Sequence, residues 1–155
     1  MAGGTVDFQL ENPVNAQLLA QDEHELTIDP PAPPQTVTVE FVAANFNFAG
    51  DTPGAQSIGV TIITSDGQPL VNPVQVDVRD LLTGSASTPG DYTMATPQTL
   101  NWAASDPDGT IQSAVITIAG VNGPTETVDL DLDNVVGATE GAQNTATVFI
   151  INIGA

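Results

Sequence analysis

The chain has 155 residues, 41% of them hydrophobic, with 14 glycines, 12 prolines and no cysteine. That length holds one globular domain plus an appendage, and the apolar content suffices for a real core. A single base, Arg79, stands against 19 acids for a net charge of −18, which excludes nucleic acid as a partner and disfavours anionic membrane surfaces.

Only 13% of residues are charged, so the imbalance reflects scarce bases more than abundant acids. Divalent cations as partners, halophilic solubility and a surface kept non-aggregating by anions all agree with it. The lack of cysteine points away from a small exported eukaryotic domain and towards a bacterial or archaeal source. No stretch is long enough for a transmembrane helix, so membrane insertion is not expected. Met1–Gly4 is not a signal peptide; either an export signal lies outside the chain or Met1 is an added start.

In chain order, Val6–Leu10 alternates Val, Phe and Leu with Asp and Gln, as a strand does. A long loop, Asn12–Glu23, leads to a second strand, His24–Ile28. This hairpin recurs. Val6–Asp29 aligns without a gap with Val128–Ile151 at an offset of 122, with identities that include Val6/Val128, Asp7/Asp129, Leu10/Leu132, Asn12/Asn134 and Ile28/Ile150. The spacing suits a whole small domain rather than a solenoid turn. Residues 1–29 therefore read as the last hairpin of a preceding unit, which suggests one link in an array and structural work rather than catalysis.

Pro30-Pro31-Ala32-Pro33-Pro34 forces extended backbone and removes amide donors, so residues 30–35 read as a semi-rigid hinge. Residues 36–155 form the complete domain. Its strands are expected at Val37–Ala43 with a continuation near Phe46–Phe48, then Ile58–Thr64, Val74–Leu82, Thr99–Ala103, Thr110–Ala119, Thr127–Asp133 and Thr145–Ile153. Turn signals such as Asp66-Gly67, Pro89-Gly90 and Asp106-Pro107-Asp108-Gly109 separate them. No segment has a helical period. The expected fold is all-β, a seven-stranded Greek-key (immunoglobulin-like) β-sandwich with an extra N-terminal β-hairpin. Alternation places Ile58, Val60, Ile62, Val74, Val76, Val78, Ala114, Ile116, Ile118, Val128, Leu130, Leu132, Ala146, Val148 and Ile150 inward, and Trp102 in the core.

Little in the chain carries reactive chemistry. His24 is the one histidine, and no nucleophile motif accompanies it, so no enzyme is expected. Zinc is excluded on the same grounds. Asp106-x-Asp108-Gly109 lacks the later acids of a calcium loop and reads as a turn. Asp129, Asp131 and Asp133 share one face of a strand and read as a solvated sheet face that discourages edge pairing. Arg79 is expected to pair locally.

Three segments resemble the Calx-β family. Gly84-Ser85-Ala86-Ser87-Thr88-Pro89-Gly90-Asp91-Tyr92 is similar to its G-T-A-x-x-G-x-D-Y loop, Thr125–Leu132 to its E-x-F-x-V-x-L strand, and Asn134–Asn152 to its closing loop and strand. Val39-Glu40-Phe41 resembles its first strand. The resemblance spans about Val37–Ile153 and implies a seven-stranded sandwich of the kind found in exchangers, an integrin subunit and tandem bacterial surface proteins and adhesins. It also implies a calcium site at one end, with Asp91 and Glu126 at ligand positions and Asp51 beside a third, at Gly50. The family's paired aspartates correspond to Ala119-Gly120 and are absent, so calcium binding is expected to be weak and no other cofactor is implied.

Assembly is the last expectation. The outward face of the final strand carries Phe149, Ile151 and Ile153, and the hairpin's Val6, Phe8 and Leu10 side has no sandwich of its own. A lone apolar stripe commonly marks a contact surface. The expected partners are copies of the chain or neighbouring repeats, joined head to tail by strand addition into a filament, matrix or adhesin stalk outside a prokaryotic cell.

Overall fold

The computed structural model describes residues 4–9, 23–28, 31–120 and 123–152, and the chain divides into two units, Met1–Pro34 and Gln35–Ala155. Leu10, Ile153 and most of the long hairpin loop lie outside the described residues. In the first unit, β1 (Gly4–Gln9) and β2 (Glu23–Ile28) pair antiparallel. Val6, Phe8 and Ile28 are exposed at 40%, 57% and 52%. Two strands with exposed apolar side chains are at best marginal in water.

The second unit contains β3 (Val37–Phe41), β4 (Asn45–Ala49), β5 (Gly54–Thr64), β6 (Val74–Asp80), β7 (Tyr92–Thr93), β8 (Gln98–Trp102), β9 (Ile111–Ile118), β10 (Glu126–Val136), β11 (Thr139–Glu140) and β12 (Thr145–Ile151). They form two five-stranded sheets, ordered β4-β12-β10-β6-β8 and β11-β3-β5-β9-β7. The chain changes sheets between β3 and β4: β3 pairs antiparallel with β5, while β4 lies parallel to β12. No helix occurs among the described residues. The architecture is the expected β-sandwich.

Every inward residue named from alternation is buried, from Ile58 to Ile150. The period of two explains why: the inward side of each strand is predominantly apolar, whereas the outward side mixes Thr, Asp, Gln and Ser with a few apolar residues such as Ile63 and Val115. Val39, Phe41, Leu70, Tyr92 and Leu100 complete the core beside Trp102. The Trp102 indole N–H donates to the Thr110 carbonyl at 2.9 Å, so burial leaves no orphan donor.

The outer face of β10 is polar and internally paired. Arg79 on β6 reaches Asp131 at 3.4 Å and Asp133 at 2.9 Å. Asp129 accepts hydrogen bonds from Thr83 (2.9 Å) and Thr147 (3.2 Å). Asp106 and Asp108 tie turns, accepting from the Ala103 and Thr64 amides at 2.8 and 2.6 Å. Phe149 and Ile151 are half-buried, in register with Asn47 and Ala49 of the flanking β4.

Candidate functional site

The acids singled out from sequence fall at one end of the sandwich, where three connections meet the start of β10. Gly54 and Tyr92 both pair with Ile118, and the Ala119 amide donates to the Asp91 carbonyl at 2.9 Å. These contacts bring the turn before β5 and the loop before β7 against the end of β9.

The loop of Gly84–Asp91 owes its path to β10. Ala86 N–H donates to the Thr127 carbonyl at 2.9 Å, Ser85 N–H to the Thr127 hydroxyl at 3.1 Å, and Thr127 N–H to the Ser85 hydroxyl at 2.9 Å. Gly84 lies so close that an added Cβ would stand 2.1 Å from the Thr127 carbonyl oxygen. Ser87 then closes the loop: its N–H and hydroxyl donate to one Asp91 oxygen at 2.7 and 2.6 Å. Asp91 is thus fixed beside Glu126, the first residue of β10.

The two carboxyls share a hydrogen bond and influence each other. Ser87's hydroxyl and amide hold Asp91 below its ordinary value, and Glu126 adds to the effect. Burial pushes Glu126 up, and the charge and hydrogen bond of Asp91 push it further. Of the two, Glu126 is the carboxyl whose ionisation the surroundings oppose.

Asp51 is not drawn into this pair. It lies on an exposed turn, where it accepts a 3.3 Å hydrogen bond from Thr52. No cluster of three His, Cys, Asp or Glu side chains able to hold a metal forms among the described residues. Gly120 adopts φ +83° and rests on Pro53, whose ring atoms would lie 3.0–3.2 Å from an added Cβ. At the second of the two positions where the resemblance would put aspartates, a side chain would thus be strained by the backbone and crowd Pro53. One more oxygen, Asn152 Oδ1, is buried at this end without a donor among the described residues. Calcium takes six to eight oxygens. Two carboxyls, one already committed to Ser87, do not make a tight calcium set.

Sequence reasoning missed the buried pair behind the site. The Tyr92 hydroxyl donates to Asp80, and both residues are buried. Asp80 also accepts the Leu82 amide at 2.9 Å. Burial raises the Tyr92 phenol well above its ordinary value, with Asp80 and then Asp91 contributing. The signal was the Tyr that follows Gly90-Asp91, which was quoted only as part of a motif.

This sandwich has the Calx-β fold. It matches the apo form of the Calx CBD1 domain with a TM-score of 0.59 and 18% identity, over 76% of this chain and 97% of that one. CBD12 from CALX1.2 and the calcium-binding domain CBD12 of CALX1.1 match at TM-scores of 0.58 and 0.57, each with 18% identity over 74% of this chain. The chain spans 44% of each of these two structures. No protein-family model matches the sequence. No curated protein matches it either. Likeness at this identity is a likeness of fold, so the chemistry of the Calx-β end has to be read from this chain's own side chains.

Proposed function

We propose that the chain is a non-catalytic module of the Calx-β kind within a larger protein outside a prokaryotic cell, and that calcium acts on it only weakly, at Asp91 and Glu126. The carboxyl pair itself carries this reading. A neighbour of the same fold is a calcium-binding domain, yet here two acids meet, one pushed up by burial and by its neighbour and the other bound to Ser87. Calcium titration by calorimetry, with melting curves, is the test. One weakly held ion should raise Tm by less than about 10 °C at about 1 mM calcium. A larger rise means a dissociation constant of micromolar order and overturns the reading.

A second reading concerns setting. The N-terminal hairpin repeats the closing hairpin of the sandwich, which favours a row of like units in a filament, matrix or adhesin stalk. Its expected consequence is the absence of turnover in a broad hydrolase screen. Activity lost on Asp91→Ala would contradict it.

A further inference from the structure

The hairpin copies the sandwich's closing strands in register, pair by pair. Gly4↔Ile28, Thr5↔Thr27, Val6↔Leu26, Asp7↔Glu25, Phe8↔His24 and Gln9↔Glu23 are the Cα partners of β1 and β2. Adding 122 to each number gives Glu126↔Ile150, Thr127↔Phe149, Val128↔Val148, Asp129↔Thr147, Leu130↔Ala146 and Asp131↔Thr145, which are the partners of β10 and β12. A one-residue slip would have exchanged the two faces, so the agreement extends to which side each residue takes. Val128, Leu130 and Ile150 are buried against the opposite sheet, whereas their counterparts Val6, Phe8 and Ile28 are exposed.

We propose that the hairpin is the closing strand pair of a second Calx-β-like sandwich, and that the other strands of that sandwich differ in sequence from those of this chain. The interface is already laid out in the second unit: β10 is flanked by β6, β12 by β4, and their inner face meets the other sheet. Two features exclude a copy of this chain as the partner. The first is size. In register, Phe8 takes the place of Leu130 and His24 the place of Ala146, as one pair of Cα partners. The socket there fits leucine and alanine, which are 0% and 5% exposed, and overfilling a packed site forces strain. The second is charge. Asp7 pairs with Glu25 where Asp129 pairs with Thr147, and like charges directly opposite are destabilising. A base from a flanking strand offsets such a pair, as Arg79 of β6 does for Asp131 and Asp133. This chain has no second base to offer. The partner therefore has a wider socket beside Phe8 and His24 and a lysine or arginine beside Asp7 and Glu25.

The proposal extends the array described above, but calcium titration does not bear on it. It is tested in the full chain by grafting the hairpin's strand sequences onto β10 and β12. The graft is Glu126→Gly, Leu130→Phe, Asp131→Gln, Thr145→Glu, Ala146→His, Thr147→Glu, Val148→Leu and Phe149→Thr. The complete graft is expected to lose cooperative unfolding or most of its Tm. The same graft with Leu130, Ala146 and Thr147 retained is expected to unfold cooperatively. If the second graft also fails to fold, the hairpin is not a closing pair. If the complete graft is as stable as the parent, the sockets are alike and the distinct partner is overturned. Sedimentation velocity of the unmodified chain from micromolar to millimolar is expected to show a monomer. Self-association abolished by Phe8→Asp would make a second copy the partner and sink the proposal.

Discussion

Tyr92 shows how one hydroxyl can anchor an end of the sandwich. Its phenol satisfies Asp80, which sits at the end of β6 under the Gly84–Asp91 loop. Tyr92→Phe removes that donor and leaves a buried carboxylate short of a partner. The expected cost is about 1–3 kcal/mol, seen as a Tm lower by roughly 5–10 °C. An unchanged Tm would mean that water replaces the hydroxyl. The carboxyls titrate in opposite senses. Asp77 is buried and held below 3.8 by the Thr99 hydroxyl and the Asn134 amide. Its contribution is present above its unfolded value and is lost as pH falls through the lower folded value. Glu126 is raised above 4.5, so its contribution is present at low pH and is lost as pH rises through the folded value. At neutral pH the Asp91–Glu126 pair is a repulsion. Glu126→Gln is therefore expected to raise Tm at pH 7 and to remove any response to calcium. A lower Tm at pH 7 with the calcium response intact would show that the pair is not the site.

Among the elements, the long strands were legible and the short ones were not. The alternation of β5, β6, β9, β10 and β12 fixes which side is inward without any tertiary information, because one face must be apolar. β7 and β11 have two residues each, too few for a period to exist. The first four residues of β5, Gly54–Ser57, precede the strand expected from Ile58, because glycine, alanine, glutamine and serine carry no strand signal; pairing with β9 supplies the order there. The site divides along the same line. Asp91 and Glu126 could be placed through the resemblance, whereas Asp51's separation and the contact of Gly120 with Pro53 depend on loop geometry that no local pattern encodes. Gly84 belongs with these: its reason for being glycine is the Thr127 backbone, more than forty residues away in sequence. Gly84→Ala is expected to lift the loop off β10, and amide exchange at Ala86 and Ser85 should rise selectively. Unchanged protection at both amides would refute the role given to that contact. An edge device was also hidden. Gln98 presents its side-chain amide to Val115, donating to the carbonyl at 2.6 Å and accepting the N–H at 2.9 Å. It occupies backbone groups on the side of β9 that β7 is too short to cover, which blunts an edge prone to pairing with other chains.

At the scale of the whole molecule, charge dominates. A net charge of −18 opposes compaction, and salt screens it over about 8–10 Å near physiological ionic strength. Tm should rise on adding sodium chloride. At matched ionic strength magnesium and calcium should differ little, because no tight set of ligands distinguishes them. A selective calcium effect in that comparison would point to ligands outside the described residues. The same imbalance has a consequence for cleavage. Trypsin cuts after lysine or arginine, and this chain offers it Arg79 alone. That bond lies at the end of β6, where Arg79 and Asp80 pair with Asp131 and Leu130 of β10, the Asp80 N–H donates to the Thr96 hydroxyl at 3.1 Å, and the guanidinium is held between Asp131 and Asp133. No loop opening exposes it; the sheet itself has to come apart. Trypsin digestion of the native protein thus reports the population of the opened sandwich and yields two pieces, 1–79 and 80–155, with no intermediate ladder.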